Sequence, residues 1–342
     1  MPDRMARRTE NGAPVALAIV GATASGKTAL SLELARRLGA EILCCDSMQI
    51  YRGMDIGTAK PTPQERAAVP HHLFDLVTPD RQYSAADYAE DALRTVLKLT
   101  ARGVLPLFCG GTGLYLEAVR TGRHRQVCAG DPALRESLLR QGESEEGRAA
   151  LYAELRAVDP ASAEAMHPNN LRRVCRALEI YRLTGRSKSD WDAQTRALPP
   201  ALRLCAFYLQ YEDRGLLYRR IEERVDRMLA DGLLDEVARL RGAGWLSPDT
   251  TAGQAIGYKE LFACLDGRCG YDEAVAALKT ATRHYAKRQI TWFSAQPYLI
   301  PLRADRDGRP RPIGELADEA MQTISVFLAA QGCSPAAHDI NF

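Results

Sequence analysis

The sequence predicts an α/β fold: a P-loop-containing parallel sheet with helices on both faces, plus an all-helical insertion domain. Three observations predict it. A short apolar strand runs into the octapeptide "GATASGKT" (21–28) and then into a helix-forming stretch. Buried strand-like and amphipathic helix-like segments then alternate, as in a parallel sheet covered on both faces. Near residue 122 the alternation stops, and only helical periodicity continues to about residue 198.

Each element has a local reason. "PVALAIV" (14–20) is β-branched and wholly apolar, as a buried parallel strand should be. In "KTALSLELARRLG" (27–39), Leu30, Leu34 and Leu38 share one helix face and Gly39 stops the helix. "EILCC" (41–45) reads as a second strand ending at Asp46, followed by a polar segment with "GTAKP" (57–61) and "PHHLFD" (70–75). Residues 84–103 form an amphipathic helix with Ser84 as N-cap, and "VLPLFC" (104–109) is a strand running into "GGTGLY" (110–115). The insertion shows helical periodicity over 131–141, 144–157 and 169–184. Strand character resumes in "LRLCAFYLQY" (202–211). Two long helical stretches follow, 213–241 and 271–288, with "AGQAIGYKEL" (252–261) between them. A strand, "YLIPL" (298–302), and a helix over 312–330 complete the fold. The expected division is a discontinuous core, 13–122 and 199–331, with an insertion at 123–198. Residues 1–12 are expected as a disordered tail and 332–342 as a frayed one.

Composition excludes several classes. At 342 residues, 46% hydrophobic and 26% charged, the chain has the profile of a soluble globular protein. A net charge of +2 is too mild to announce nucleic-acid binding, which leaves local basic clusters to supply it. The nine cysteines, at 44, 45, 109, 128, 175, 205, 264, 269 and 333, form no C-x-x-C and do not pair with histidines at zinc spacing. Free thiols in a reducing cytosol are expected. No apolar run approaches the roughly 20 residues of a membrane span. The N-terminal "MPDRMARRTENG" is polar, unlike a signal peptide. A cytoplasmic, monomeric protein is the expectation.

Gly21, Gly26, Lys27 and Thr28 fit the pattern G-x-x-x-x-G-K-[ST]. Its glycines let successive backbone N–H groups point into one concavity, and the helix N-terminus adds partial positive charge. Lys27 would reach the terminal phosphates and the Thr28 hydroxyl would coordinate Mg²⁺. A chance match in a chain this long is roughly one in a hundred, and the flanking strand and helix make it rarer. The loop alone suggests an NTPase or a small-molecule kinase. Asp46, at the carboxyl end of a neighbouring strand, is then either a metal-holding acid or a group aimed at the acceptor. Gly110–Gly111–Thr112–Gly113 would bring backbone and a hydroxyl to the same crevice. Basic residues gather in three places: Arg172, Arg173 and Arg176; Arg219, Arg220, Arg224 and Arg227; and Arg283, His284, Lys287 and Arg288, interleaved with Tyr285 and Trp292. Each alone reads as a solvated helix face; together they favour a nucleic-acid backbone. His71 and His72 read as structural, with no third ligand at fitting spacing.

A resemblance narrows the choice. "GATASGKT", "DSMQIYRGMDIGTAKP" (46–61), "PHHL", "YSAADY", "GGTGLY", "HPNNLRRVCRALEIY" (167–181), "RIEERVDRML" (220–229), "AIGYKE" (255–260) and "AKRQITWF" (286–293) span nearly the whole chain in order. In these segments the chain resembles the bacterial tRNA dimethylallyltransferases (tRNA isopentenyltransferases), which prenylate adenosine 37 beside the anticodon. The resemblance implies that Gly21, Ala22, Thr23, Ala24, Ser25, Gly26, Lys27 and Thr28, with Arg220, hold the diphosphate of dimethylallyl diphosphate, with Mg²⁺ on Thr28. It implies catalytic roles for Asp46 as general base, Thr112 at the bridging oxygen and Arg224 on the diphosphate. For the tRNA anticodon stem-loop it implies contacts from Asp46, Ser47, Met48, Gln49, Thr112 and Arg135, and from Arg172, Arg173, Val174, Cys175 and Arg176. Gln254, Ala255, Ile256, Gly257, Tyr258 and Lys259, and Lys287, Arg288, Gln289 and Trp292, complete that set. The acceptor adenosine would be flipped into a channel lined by Asp46 to Gln49. Departures are Ala22 in place of the usual proline, and His284 and Ser294 in place of glutamine and a basic residue. No C-terminal zinc-finger pair is present, which implies the bacterial type.

Overall fold

The computed structural model describes residues 12–122 and 130–333. Residues 1–11, 123–129 and 334–342, which take in most of the two expected tails and the start of the expected insertion, lie outside the described residues. In chain order the elements are β1 (Val15–Gly21), α1 (Lys27–Leu38), β2 (Glu41–Cys44), α2 (Pro63–Ala68), β3 (His71–His72), α3 (Ala85–Ala101), β4 (Pro106–Gly110) and α4 (Gly113–Thr121). Then come α5 (Pro132–Gln141), α6 (Glu145–Val158), α7 (Pro160–Glu164), α8 (Leu171–Thr184) and α9 (Lys188–Arg196). The remainder is β5 (Arg203–Gln210), α10 (Arg214–Ala230), α11 (Leu233–Gly242), α12 (Tyr258–Leu265), α13 (Tyr271–Ser294), β6 (Leu299–Arg303), the short hairpin β7 (Asp305–Arg306) and β8 (Arg309–Pro310), and α14 (Ile313–Ala330). The chain divides into two compact units, one running to Arg120 and resuming at Ala201, the other spanning Thr121–Pro200.

In the first unit six strands form one parallel sheet in the order β3-β2-β4-β1-β5-β6. β1 is central, with Leu17 opposite both Leu107 of β4 and Cys205 of β5. Because side chains alternate along a strand, β1 feeds two cores. Val15, Leu17 and Ile19 pack with Leu30, Leu34 and Leu38 of α1 and with Leu316, Ala320 and Ile324 of α14. Ala16, Ala18 and Val20 face the other core, with Tyr88, Ala92 and Val96 of α3 and residues of α11, α12 and α13. Both faces are covered, as an all-parallel sheet requires. The order reverses beside β1, so the loop after β1 opens into the crevice where such sheets bind ligands.

Local features differ from expectation, among them the unforeseen helices α2, α7 and α9 and the β7–β8 hairpin. Strand β3 is only His71–His72, too short for any periodicity to reveal. Its imidazoles are structural: His71 Nδ1 lies 2.6 Å from the Val69 carbonyl and His72 Nε2 lies 2.7 Å from Glu41 Oε2. The glycine turn at 110–113 runs straight into α4. The stretch 213–241 is two helices, parted at Gly232, whose left-handed φ of 95° ends one helix and starts the next. The helix expected over 271–288 continues to Ser294. In the second unit α5, α6 and α8 bury Leu138, Leu151, Leu155, Val174, Cys175 and Leu178 against one another.

Candidate active site

The loop between β1 and α1 is shaped by backbone conformation and by packing from behind. Ala24 sits in the left-handed region at φ 61°, and Gly26, at φ 98°, turns the chain into α1. The methyls of Ala22 and Ala24 pack on Leu217 and Ile221 of α10 and on Ala286 of α13. Alanine at position 22 therefore contributes an apolar contact in this loop. Lys27 Nζ donates to the Ala22 carbonyl at 2.7 Å, which holds the ammonium across the loop mouth.

Helix α10 presents arginines to the same place. Leu217, Ile221 and Val225 turn one face inward, and Arg220 and Arg224 share the adjoining face at i, i+4. Arg220 Nε donates to the Ala24 carbonyl at 3.0 Å. Arg224 forms no hydrogen bond or ion pair among the described residues, and burial holds its guanidinium below the usual arginine value. Burial also pushes the Lys27 ammonium down to about 8, and the neighbouring Arg224 charge lowers it further against the opposing influence of Cys109 and Asp46. Two under-compensated cations beside the N-terminus of α1 suit an anion.

The opposite wall comes from the ends of β2 and β4. A Cβ on Gly110 would lie 2.0 Å from the Cys45 carbonyl oxygen, so glycine is required for the two strands to run out side by side. Thr112 N donates to that carbonyl at 3.1 Å. Thr112 Oγ1 accepts from Ser47 N at 2.9 Å and donates to Ser47 Oγ at 3.2 Å. Asp46 Oδ1 accepts from Met48 N at 3.0 Å, which fixes the carboxylate at the turn. Helix α13 closes the wall: Tyr285, Gln289 and Trp292 follow one another at i, i+4 and i+7. A Cβ on Gly113 would fall 2.2 Å from the Trp292 ring, so the indole lies directly on the turn. Burial and the nearby Asp46 raise the Tyr285 phenol above its ordinary value.

Two cavities meet between these walls. One, of about 350 Å³, is lined by Lys27, Thr28, Arg224 and Asp46, and by Ser47 to Gln49 and Gln254 to Gly257. The other, of about 1250 Å³, opens beside Arg220, Arg227 and Lys60 and shares Lys27, Thr28, Ala59, Arg224 and Met228 with the first. The anion site and the Asp46 carboxylate thus lie on one continuous passage. A family described as "IPP transferase" matches residues 49–296, most of the chain that builds this passage. This chain belongs to that family.

Its relatives include a protein named tRNA dimethylallyltransferase from Roseiflexus sp. (strain RS-1), 48% identical over 291 residues, or 84% of this chain and 93% of the relative. Another of that name, from Geobacillus thermodenitrificans, is 48% identical over 279 residues, 81% of this chain and 87% of the relative. Among solved structures, the full-length tRNA isopentenylpyrophosphate transferase of Bacillus halodurans is 40% identical with a TM-score of 0.68, covering 93% of this chain and 98% of that one. A eukaryotic dimethylallyltransferase acting on tRNA is 26% identical with a TM-score of 0.74, covering 95% and 81%.

The other expected site residues of this family member fall into distinct settings. Arg172 and Arg173 are exposed and form no ion pair among the described residues. Val174 and Cys175 are core residues of the helical unit, so their side chains do not face a ligand. Arg135 and Arg176 both clasp the fully buried Glu179: Arg135 at 3.1 and 3.0 Å, Arg176 at 2.8 Å. Lys259 lines the smaller cavity. Lys287 and Arg288 are exposed on α13, with the Arg288 guanidinium 5.6 Å from the Tyr285 ring centroid. His284 and Ser294 are exposed on the same helix. Gln289 and Tyr258 are buried and bonded within the protein.

Sequence reasoning missed the group that fixes the loop over the passage. Glu236 of α11 is buried and accepts from Asp55 N (2.9 Å), Ile56 N (2.8 Å), Gly57 N (3.1 Å) and the Tyr258 hydroxyl (2.6 Å). Gln49 Nε2 then donates to the carbonyls of Thr58 and Ala59 at 2.9 and 3.2 Å. Lys60, also buried, bonds to Tyr51 O, Asp55 and Asp75. The signal was present: Glu236, three residues after Leu233 and four before Leu240, borders the apolar face of α11 and is buried with it.

Proposed function

We propose that this chain transfers a dimethylallyl group from dimethylallyl diphosphate to N6 of adenosine 37, in tRNAs reading codons that begin with U, with release of pyrophosphate. The observation that carries this reading is the shared cavity, which Lys27, Arg224 and Asp46 line together. The bond broken is carbon–oxygen. As N6 attacks the allylic carbon, the electron pair of the C–O bond passes to the diphosphate, and the N6 proton passes to Asp46. Charge therefore grows on an oxygen gripped by the 21–28 loop, Lys27, Arg220 and Arg224, and fixed donors aimed at such charge are the strongest catalytic device available. The Thr112 hydroxyl, which donates to Ser47 Oγ in the structure, would turn to donate to the bridging oxygen. The names of the relatives support the substrate classes.

Magnesium fits the loop. Mg²⁺ takes few protein ligands alongside phosphate oxygens and water, and Thr28 lines the cavity beside Lys27. The described residues contain no cluster of three or more His, Cys, Asp or Glu able to hold a metal alone, so the cation would arrive with the diphosphate. When bound it would neutralise charge on the leaving group. No helix among the described residues is long and apolar enough to cross a membrane. Arg172, Arg173, Lys259, Lys287 and Arg288 are the cations offered to RNA phosphates.

The test is incubation with labelled dimethylallyl diphosphate and unmodified tRNA bearing A36-A37. Label appearing in RNA, lost when A37 is replaced, is expected. No transfer, or ATP turnover driven by a small hydroxyl acceptor, would replace this reading with that of a kinase.

A further inference from the structure

We propose that Gln289 is a positioning residue that fixes the spacing between the diphosphate loop and the turn carrying Thr112. This inference rests on the proposed transfer reaction. Gln289 lies on the inward face of α13 and is only 6% exposed. Its Oε1 accepts from Thr23 N at 2.9 Å, within the phosphate loop. Its Nε2 donates to the Gly111 carbonyl at 2.9 Å, one residue before Thr112. A single side-chain amide therefore bridges the element that grips the leaving group and the element that borders the base.

Two features make the bridge specific. A Cβ on Gly111 would come 2.3 Å from Nε2, so the amide fits only because that residue is glycine. Reversing the amide would set Nε2 against the Thr23 N–H and Oε1 against the Gly111 carbonyl, so chemistry dictates its orientation. The same helix presents Lys287 outward, and Arg288, though exposed, lines the smaller cavity. Helix α13 thus carries an exposed cation in Lys287, a cation at the cavity in Arg288 and a spacer on its buried face. A neutral spacer also leaves the positive field of Lys27 and Arg224 intact, which a carboxylate at this position would weaken.

Single-turnover transfer at saturating substrates tests the proposal. Gln289→Ala should lower the rate constant by about 100-fold, the scale of a misplacement near 1 Å. Its tRNA dissociation constant and the salt slope of binding should stay within about twofold of wild type. Gln289→Glu keeps the acceptor for Thr23 but loses the donor to Gly111 while ionised. Its deficit relative to wild type should shrink as pH falls and the carboxyl regains a proton to donate. That pH response decides the matter if Gln289→Ala does not fold. An unchanged rate in Gln289→Ala overturns the proposal, as does a loss expressed as weaker tRNA binding with a shallower salt slope. A pH-independent deficit in Gln289→Glu overturns it too. Absence of transfer by the wild-type chain overturns the proposed function itself; transfer by wild type with either contrary result overturns this inference alone.

Discussion

At the scale of single residues the proposed chemistry rests on Lys27 and Asp46, and each makes a separable prediction. The Lys27 ammonium, pushed down to about 8 by burial, must be protonated to hold a diphosphate. Affinity should be full below pH 8 and fall as pH rises through 8 toward the higher value Lys27 acquires in the complex. Calorimetric titration with dimethylallyl diphosphate from pH 7 to 9.5 should show that loss, and Lys27→Arg, which stays protonated, should bind with a flat profile. Asp46→Ala removes the proposed proton acceptor but none of the cations proposed to bind RNA. Its single-turnover rate should fall by about 10²- to 10⁴-fold with tRNA affinity within about twofold of wild type. A binding defect with an unchanged rate would take the base role away from Asp46. Both residues were legible in the sequence, because a glycine-lysine-threonine loop and a strand-ending aspartate carry their context with them. Glu236 and Glu179 were not read, and Gln289 was read as an RNA contact, not as a buried bridge, although each is a polar residue on an apolar helix face.

At the scale of elements, helix spacing decides which side chains reach the passage. α10 brings Arg220 and Arg224 to the loop because Leu217 and Ile221 pack beneath it. α11 holds the loop at 55–57 through one carboxylate. Glu236→Ala would leave three backbone N–H groups and the Tyr258 hydroxyl without their acceptor, at a cost of about 2–4 kcal/mol in folding free energy. Urea denaturation measures that cost, and a change under about 0.5 kcal/mol would mean the loop is held some other way. α8 carries the RNA expectation. Arg172→Ala with Arg173→Ala should weaken tRNA binding and flatten its dependence on salt, since two phosphate partners are lost. An unaltered slope would return these arginines to a solvated face. Element type was legible wherever periodicity ran for ten or more residues, as in α1, α3 and α14. It failed for β3, which is two residues of an edge strand, and at Gly232, where continuous amphipathic periodicity masked a break made by backbone conformation.

At the scale of the whole molecule, a parallel sheet places several strand ends at one edge. The loop after β1, the aspartate after β2 and the threonine after β4 converge there because these strands are neighbours in the order β2-β4-β1. The alternation of elements foretold the sheet, but strand order was not legible, because it depends on which crossovers pack and not on local pattern. The passage was expected only from the family resemblance, since no local pattern reveals a space left between α10, α13 and the 46–60 segment. The central claim is that the cradle holds a departing diphosphate while carbon moves to nitrogen. Dimethylallyl diphosphate carrying ¹⁸O at the bridging oxygen tests it directly. Mass spectrometry should find the ¹⁸O in released pyrophosphate and a prenylated RNA free of it. ¹⁸O recovered in dimethylallyl alcohol, with phosphate transferred to an acceptor, would show cleavage of the phosphorus–oxygen bond and contradict the account.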